Sequence, residues 1–390
     1  MRIAMLGTRG VPAAYGGFET AVEEVGARLA ARGHEVTVYG DRTHPEVTEH
    51  LGMRVVHLPS LPVRQLETLS RTGAATLRTV TGERPDVAFV FNAANAPYVT
   101  LLRARGIPVA VHVDGLEWRR AKWGGAGRAY YRWAEQRSVR AADALIADAP
   151  GIADYYDREF DAPTELIRYG APLLQRVATA PLAAVGLEPD RFHLAVARFE
   201  PENHVLEVVE GYRRSDARLP LAVVGSAPYS AAYTRAVHAA AAGDDRIRLL
   251  GGVWDQDLLD ALYAHARTYV HGHSVGGTNP SLLRAMGAGT ATIAFDVGFN
   301  REVLADDAWT FRDASEVAIA IEAAEADDAL VVARGIRAHA RAGRVFRWDE
   351  VADEYEDLAR RLADGESVHA RTRRARRAPS ERVHAGRAAS

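Results

Sequence analysis

Apolar residues follow two alternating rhythms along this chain. In Arg2–Leu6 and residues 34–40 (HEVTVYG) they crowd into short runs. Between those runs Phe18, Val22, Val25 and Leu29 recur three or four positions apart. The first rhythm predicts a buried strand and the second an amphipathic helix. With Gly33 ending the helix, residues 1–40 read as one βαβ unit with a right-handed crossover. The alternation continues through strands near 53–58, 86–92, 108–114, 144–148 and 164–168. Such a series predicts a doubly wound parallel sheet.

Between Ala171 and Asp190 the strand rhythm lapses and Pro172, Pro181 and Pro189 accumulate, as expected of a connection between domains. A second series then runs through strands at 193–199, 221–225, 246–252, 267–273 and 291–297. It predicts a second Rossmann-like domain over residues 191–345, after a first over 1–170 and a linker over 171–190. A final amphipathic helix over 346–363 carries Val351, Tyr355, Leu358 and Leu362. Residues 364–390 contain seven arginines and almost no large apolar side chain, so disorder is expected there.

Composition narrows the function. At 390 residues the chain exceeds one ordinary core, and 48% apolar with 25% charged residues is the composition of a globular protein. A formal net charge of −3 gives no ground for nucleic-acid binding by the whole body. Zero cysteines exclude disulfides, thiolate metal sites and cysteine catalysis. No apolar run is long enough to span a bilayer, and the N-terminus enters a strand without the order of a signal peptide. A cytoplasmic location is expected, with attachment to a membrane surface left open.

Four strand ends gather polar residues, and in open α/β sheets ligands bind beyond such ends. The chief one is HGHSVGGTNPSLL (271–283), ordered as strand, glycine loop and helix start. Gly276 and Gly277 let a ligand approach the backbone, and a helix opened by Asn279-Pro280 offers free N–H groups to an anion. His271, His273, Ser274, Thr278 and Asn279 are placed to surround a phosphate and a sugar. In ARFEPENH (197–204), Arg198 stands at a strand end as a phosphate ligand, beside Glu200 and Asn203.

VHVDGLEW (111–118) brings His112 and Asp114 to one side of a strand, followed by Glu117 and Trp118. A carboxylate and an imidazole there suit a sugar hydroxyl or a proton transfer, while the plainer reading of His112 is a hydrogen-bonded core histidine. GTRGVPAAYGGFET (7–20) places Tyr15, Gly16 and Gly17 before a helix without dinucleotide-fingerprint spacing. Asp255-Gln256-Asp257 reads as a helix cap rather than a metal motif, and no His, Asp and Glu cluster elsewhere has metal-ligand spacing.

These stretches, together with LETLSRT (66–72), FNAANAP (91–97), VDGLEWRRAKWG (113–124) and ALIADAPGIADYY (144–156), resemble the retaining glycosyltransferases of family 4. The likeness is to the subgroup with an N-terminal rhamnosyltransferase-like domain, DUF1972, and covers about residues 1–360. It implies a GT-B fold, two Rossmann-like domains facing a cleft. The acceptor would lie on the first domain and a nucleotide-sugar donor mainly on the second, with the last helix crossing back. It further implies retention of configuration, no metal or cofactor, and a glycan or lipid-linked acceptor in polysaccharide assembly. Rhamnose from a dTDP- or UDP-type donor is the expected sugar.

By position, Arg198 and the Gly276–Thr278 loop would hold the diphosphate and Asp114 would face the reacting sugars. Gly16 and Gly17 would approach from the other domain, with Tyr15, Glu117 and Asn92 lining the acceptor side or cleft. The sequence departs from the broad family pattern of two glutamates with seven residues between them: Gly276 replaces the first and Arg284 the second. Arg284 is expected to point into the donor cleft. Asn203 replaces the usual lysine after Arg198. Arginine has no acceptor for ribose hydroxyls, so a family member with weakened turnover that binds and regulates an active transferase is the competing reading. A GT-B epimerase would need a carboxylate set that the sequence lacks.

Overall fold

A computed structural model describes residues 1–13, 16–43, 45–61, 66–113, 115–120, 123–225 and 230–367. Tyr15, Asp114 and the arginine-rich residues 368–390 therefore lie outside the described residues.

The first half is built on β1 (Arg2–Leu6), β2 (Glu35–Gly40), β3 (Glu49–His50), β4 (Met53–His57), β5 (Val87–Phe91), β6 (Val109–His112), β7 (Ala144–Ala147) and β8 (Glu165–Leu166). They form one sheet in the order β3-β4-β2-β1-β5-β6-β7-β8. All neighbours are parallel except β3 against β4. Its helices are α1 (Gly17–Ala31), α2 (Glu67–Thr81), α3 (Ala96–Ala104), α4 (Gly125–Ala141) and α5 (Pro150–Phe160).

The second half holds β9 (His193–Val196), β10 (Leu221–Val224), β11 (Ile247–Gly251), β12 (Thr268–His271), β13 (Ala291–Phe295) and β14 (Ala308–Phe311), in the parallel order β11-β10-β9-β12-β13-β14. Around it lie α6 (Val205–Arg214), α7 (Ala231–Ala241), α8 (Gln256–Ala264), α9 (Pro280–Ala288), α10 (Gly298–Leu304), α11 (Ala314–Ala326) and α12 (Asp328–Val345). Two Rossmann-like units facing a cleft are the GT-B architecture. β3, only Glu49-His50, and the four-residue β14 are too short to show a rhythm, and both sit at a sheet edge where one partner suffices.

The last helix, α13 (Trp348–Ala363), returns to the first sheet and lies along α1 and β5. Its Tyr355 meets the Phe89 ring edge-on at 5.0 Å. One hydrophobic cluster runs from Met5, Val22 and Phe89 through Tyr355 and Leu358 to Leu282 and Met286 of α9. The two halves thus share a core beneath the cleft, and the ends of β6, β7, β9 and β12 open toward each other above it.

Candidate functional site

Local chemistry explains the shape of the loop after β12. Thr268–His271 is fully buried strand, and the chain then leaves the sheet through Gly272, where an added Cβ would strike the Asn203 carbonyl. Gly276 has φ 134°, which L side chains rarely adopt. Asn279 caps α9 by accepting the Ser281 N–H at 3.0 Å and its hydroxyl at 2.7 Å, with Pro280 in the first turn. The expected helix start is present, and the Asn279 carboxamide oxygen is committed to it.

The first half closes on this loop at three points. A Cβ on Gly17 would meet Pro280 at 3.2 Å, and one on Gly115 would run into Gly276 and, at 2.7 Å, the nitrogen of Gly277. Third, the Asp148 carboxylate at the end of β7 accepts the Thr278 N–H at 3.0 Å, and the Asp148 carbonyl accepts the Thr278 hydroxyl at 3.0 Å. The Thr278 donors are therefore already engaged, whereas an added Cβ on Gly276 meets nothing within 4 Å. Gly16, with φ 121°, turns the chain into α1 above Glu19, whose carboxylate accepts the Arg9 N–H.

Within the second half, the segment after β9 is locked to the glycine loop, because β9 and β12 are neighbouring strands. The Glu202 carbonyl accepts both the Ser274 N–H at 2.9 Å and its hydroxyl at 3.0 Å, and His204 bonds the Gly272 carbonyl at 2.8 Å. Asn203 donates to the Arg198 carbonyl at 2.8 Å, fixing the backbone from which the half-buried Arg198 side chain projects. Among the described residues the Arg198 guanidinium has no hydrogen-bond or ion-pair partner. It acts electrostatically on His273, as does Arg120 from the first half, so two cations converge on the loop.

The electrostatics of the buried groups follow from desolvation. Burial holds the His271 imidazole down to about 3, and burial with His271, Arg198 and Arg120 nearby keeps His273 well below the ordinary histidine range. The two rings stack at 4.6 Å and are neutral at pH 7. Burial, and then the neighbouring Glu200, raise the Glu202 carboxyl above the usual carboxylate range.

Other predicted residues lie apart from this centre. His112 is fully buried among Phe18, Phe91, Tyr169 and Tyr355, bonds the Tyr355 hydroxyl at 2.8 Å, and is held down to about 3 by burial. Burial among these rings and the bond to Tyr355 favour the core reading of His112 over proton handling. Glu117 accepts the Trp123 indole N–H at 3.3 Å and pairs with Arg120 at 2.6 Å. Asn92 turns the chain at φ 72° and accepts the Ala94 N–H at 2.8 Å. Arg284 does not face the donor loop: its guanidinium bonds Asp260 of α8 and lies 5.8 Å from the Tyr263 ring. Its ion pair with Asp260 joins α9 to α8.

Sequence reasoning missed Asp148, Glu202 and Arg120. Asp148 ends an apolar strand, the signal used for the other sites, but ALIADAP reads more simply as a strand followed by a proline-opened helix.

Comparison with known proteins bears on this geometry. The profile described as "Glycosyl transferase 4-like domain" matches residues 16–170, and that described as "Glycosyl transferases group 1" matches 191–327. Comparison with the curated proteins gave no match. Among solved structures, sucrose-phosphate synthase from Thermosynechococcus elongatus is similar at 23% identity and TM-score 0.81, covering 93% of this chain and 98% of its own. HepE from Anabaena, solved in complex with UDP-glucose, aligns at 16% identity and TM-score 0.75, covering 92% and 99%. A glycosyltransferase from Rickettsia africae aligns at 13% identity and TM-score 0.72, covering 93% and 99%.

Proposed function

For a chain that belongs to the two-domain glycosyltransferases, with a glycosyl transferase 4-like domain followed by a group 1 domain, we propose retaining, metal-independent transfer from a nucleotide-diphosphate sugar. The acceptor in this reading is a polysaccharide or lipid-linked glycan precursor, and the sugar, by the subgroup resemblance, is rhamnose. The observation that carries the donor side is Arg198. A guanidinium at a strand end, unpaired among the described residues and acting electrostatically on His273 of the glycine loop that leads into α9, suits the charge of a diphosphate. HepE, of the same fold, was solved with UDP-glucose.

In this mechanism Arg198 and the Gly276–Gly277 backbone neutralise the charge that builds on the departing diphosphate, which is where preorganised donors lower a barrier most. By the family resemblance Asp114 is assigned to the reacting sugars, and Gly16 and Gly17 to admitting the acceptor from the first half. Neutral His271 and His273 add no charge of their own to the loop.

Calorimetric titration of a nucleotide-sugar panel tests the reading. Arg198→Ala should weaken the bound donor by roughly 10- to 100-fold, the worth of one or two charged hydrogen bonds, with little change in melting temperature. Unchanged donor affinity would remove Arg198 from the site. We extend the proposal to a peripheral contact with anionic membrane through residues 368–390, whose arginines contribute roughly 1 kcal/mol each near such a surface. Sedimentation with anionic liposomes should show salt-sensitive binding by the full chain and none by a chain ending at Asp364.

A further inference from the structure

Asp148 joins the first half to the glycine loop of the second. Asp148 ends β7 in the first half, is 5% exposed, and reaches across the interface to residues 277 and 278 of the second. It makes two bonds to one residue: the carboxylate takes the Thr278 N–H and the backbone carbonyl takes the Thr278 hydroxyl, each at 3.0 Å. Gly277 fits against the same carboxylate so closely that an added Cβ would lie 2.7 Å from Oδ2. A carboxylate bonded to a backbone N–H is a strong acceptor, and burial removes the water that would otherwise replace it.

We infer that Asp148 is a positioning residue that fastens the glycine loop of the second half to the first and thereby sets the loop in its closed-cleft shape. Two consequences follow for a loop of this kind. By spending the Thr278 N–H internally, Asp148 directs an incoming anion to the Gly276–Gly277 backbone and to Arg198. Because the clasp spans the cleft, loop shape and cleft closure become one event, and opening the cleft releases the loop. The inference rests on the transferase reading only for what the loop holds; the clasp itself needs no ligand.

The test uses the full-length chain with Asp148→Ala, Asp148→Asn and Gly277→Ala, read by amide hydrogen exchange of peptides covering residues 272–286. Asp148→Ala should raise exchange at the Thr278 amide by roughly tenfold while the β1–β5 peptides stay protected, the effect of losing one local hydrogen bond. Asp148→Asn keeps an acceptor and should restore most of the protection. Gly277→Ala, which displaces the carboxylate without removing it, should resemble Asp148→Ala. Unchanged exchange in Asp148→Ala overturns the inference. So does a rise of equal size across the whole chain, because the residue is then structural only.

A second readout separates this failure from failure of the functional reading. With UDP and UDP-glucose as probes, a binding-competent wild type should lose several-fold affinity in Asp148→Ala and recover it in Asp148→Asn. If the wild type binds neither probe, the donor assignment falls for that nucleotide, and the exchange result decides the clasp alone.

Discussion

At the scale of single residues, burial decides what each polar group can do. His112 and Asp114 look alike in sequence, two polar residues on one side of a strand end. The structure takes His112 out of solvent, where the neutral ring is favoured and Tyr355 supplies its partner. A histidine whose folded pKa is lowered contributes stability that is complete above its unfolded value near 6.5 and is lost as pH falls toward the folded value of about 3. At pH 5 the loss attributable to this one group should be about 2 kcal/mol relative to pH 7. Chemical denaturation at both pH values, comparing wild type with His112→Gln, measures it. The variant should lose less stability on acidification; an identical pH slope would show that His112 is already solvated. Arg284 teaches the same lesson from the other side. Its lack of acceptors was legible, but its direction depends on Asp260, a residue on a different helix that no local pattern announces.

Among elements, the repeated strand and helix rhythm gave away nearly all of the architecture, because parallel strands buried on both faces must be continuously apolar. The glycine loop and the Asn279-Pro280 helix start were legible for a related reason: a positive φ and a side-chain cap each demand particular residue types. Asp255 likewise caps α8, accepting the Asp257 and Leu258 N–H groups at 2.9 and 3.1 Å. What stayed hidden were pairings between elements distant in sequence. Glu202 meets Ser274 once β9 and β12 have paired in one sheet, whereas Asp148 meets Thr278 and Gly115 meets Gly276 only once the two sheets have been brought face to face. Strands β3 and β14 escaped because an edge strand needs neither length nor two apolar faces.

For the whole molecule, the question is what keeps the two halves in register, and α13 supplies most of the answer. Its ionic contacts to the first half are numerous: Arg28 with Asp349 at 2.8 Å, Arg32 with Glu356 at 2.8 Å, and Arg361 with Glu165 at 3.0 Å. All have at least one partner open to water, and such pairs contribute about 0–1 kcal/mol each. The apolar face is a larger effect. Trp348, Val351, Tyr355, Leu358 and Leu362 are each at most 6% exposed, and burying side chains of this size stabilises by about 1.5–3 kcal/mol apiece. Their sum, on the order of 10 kcal/mol, is comparable to the entire stability of a typical domain. A chain ending at Arg347 should therefore fail to show a cooperative melt, whereas one ending at Ser367 should melt like the full chain. Between these extremes, Leu358→Ala should cost about 2–5 kcal/mol and Arg361→Ala about 1 kcal/mol or less, measured by denaturant midpoints. If Arg361→Ala proved the more damaging, the crossover would be held by charge, and high salt would loosen it. With apolar burial dominant, salt should leave the melting temperature of the wild type nearly unchanged, since the contact that joins the halves lies where ions do not reach.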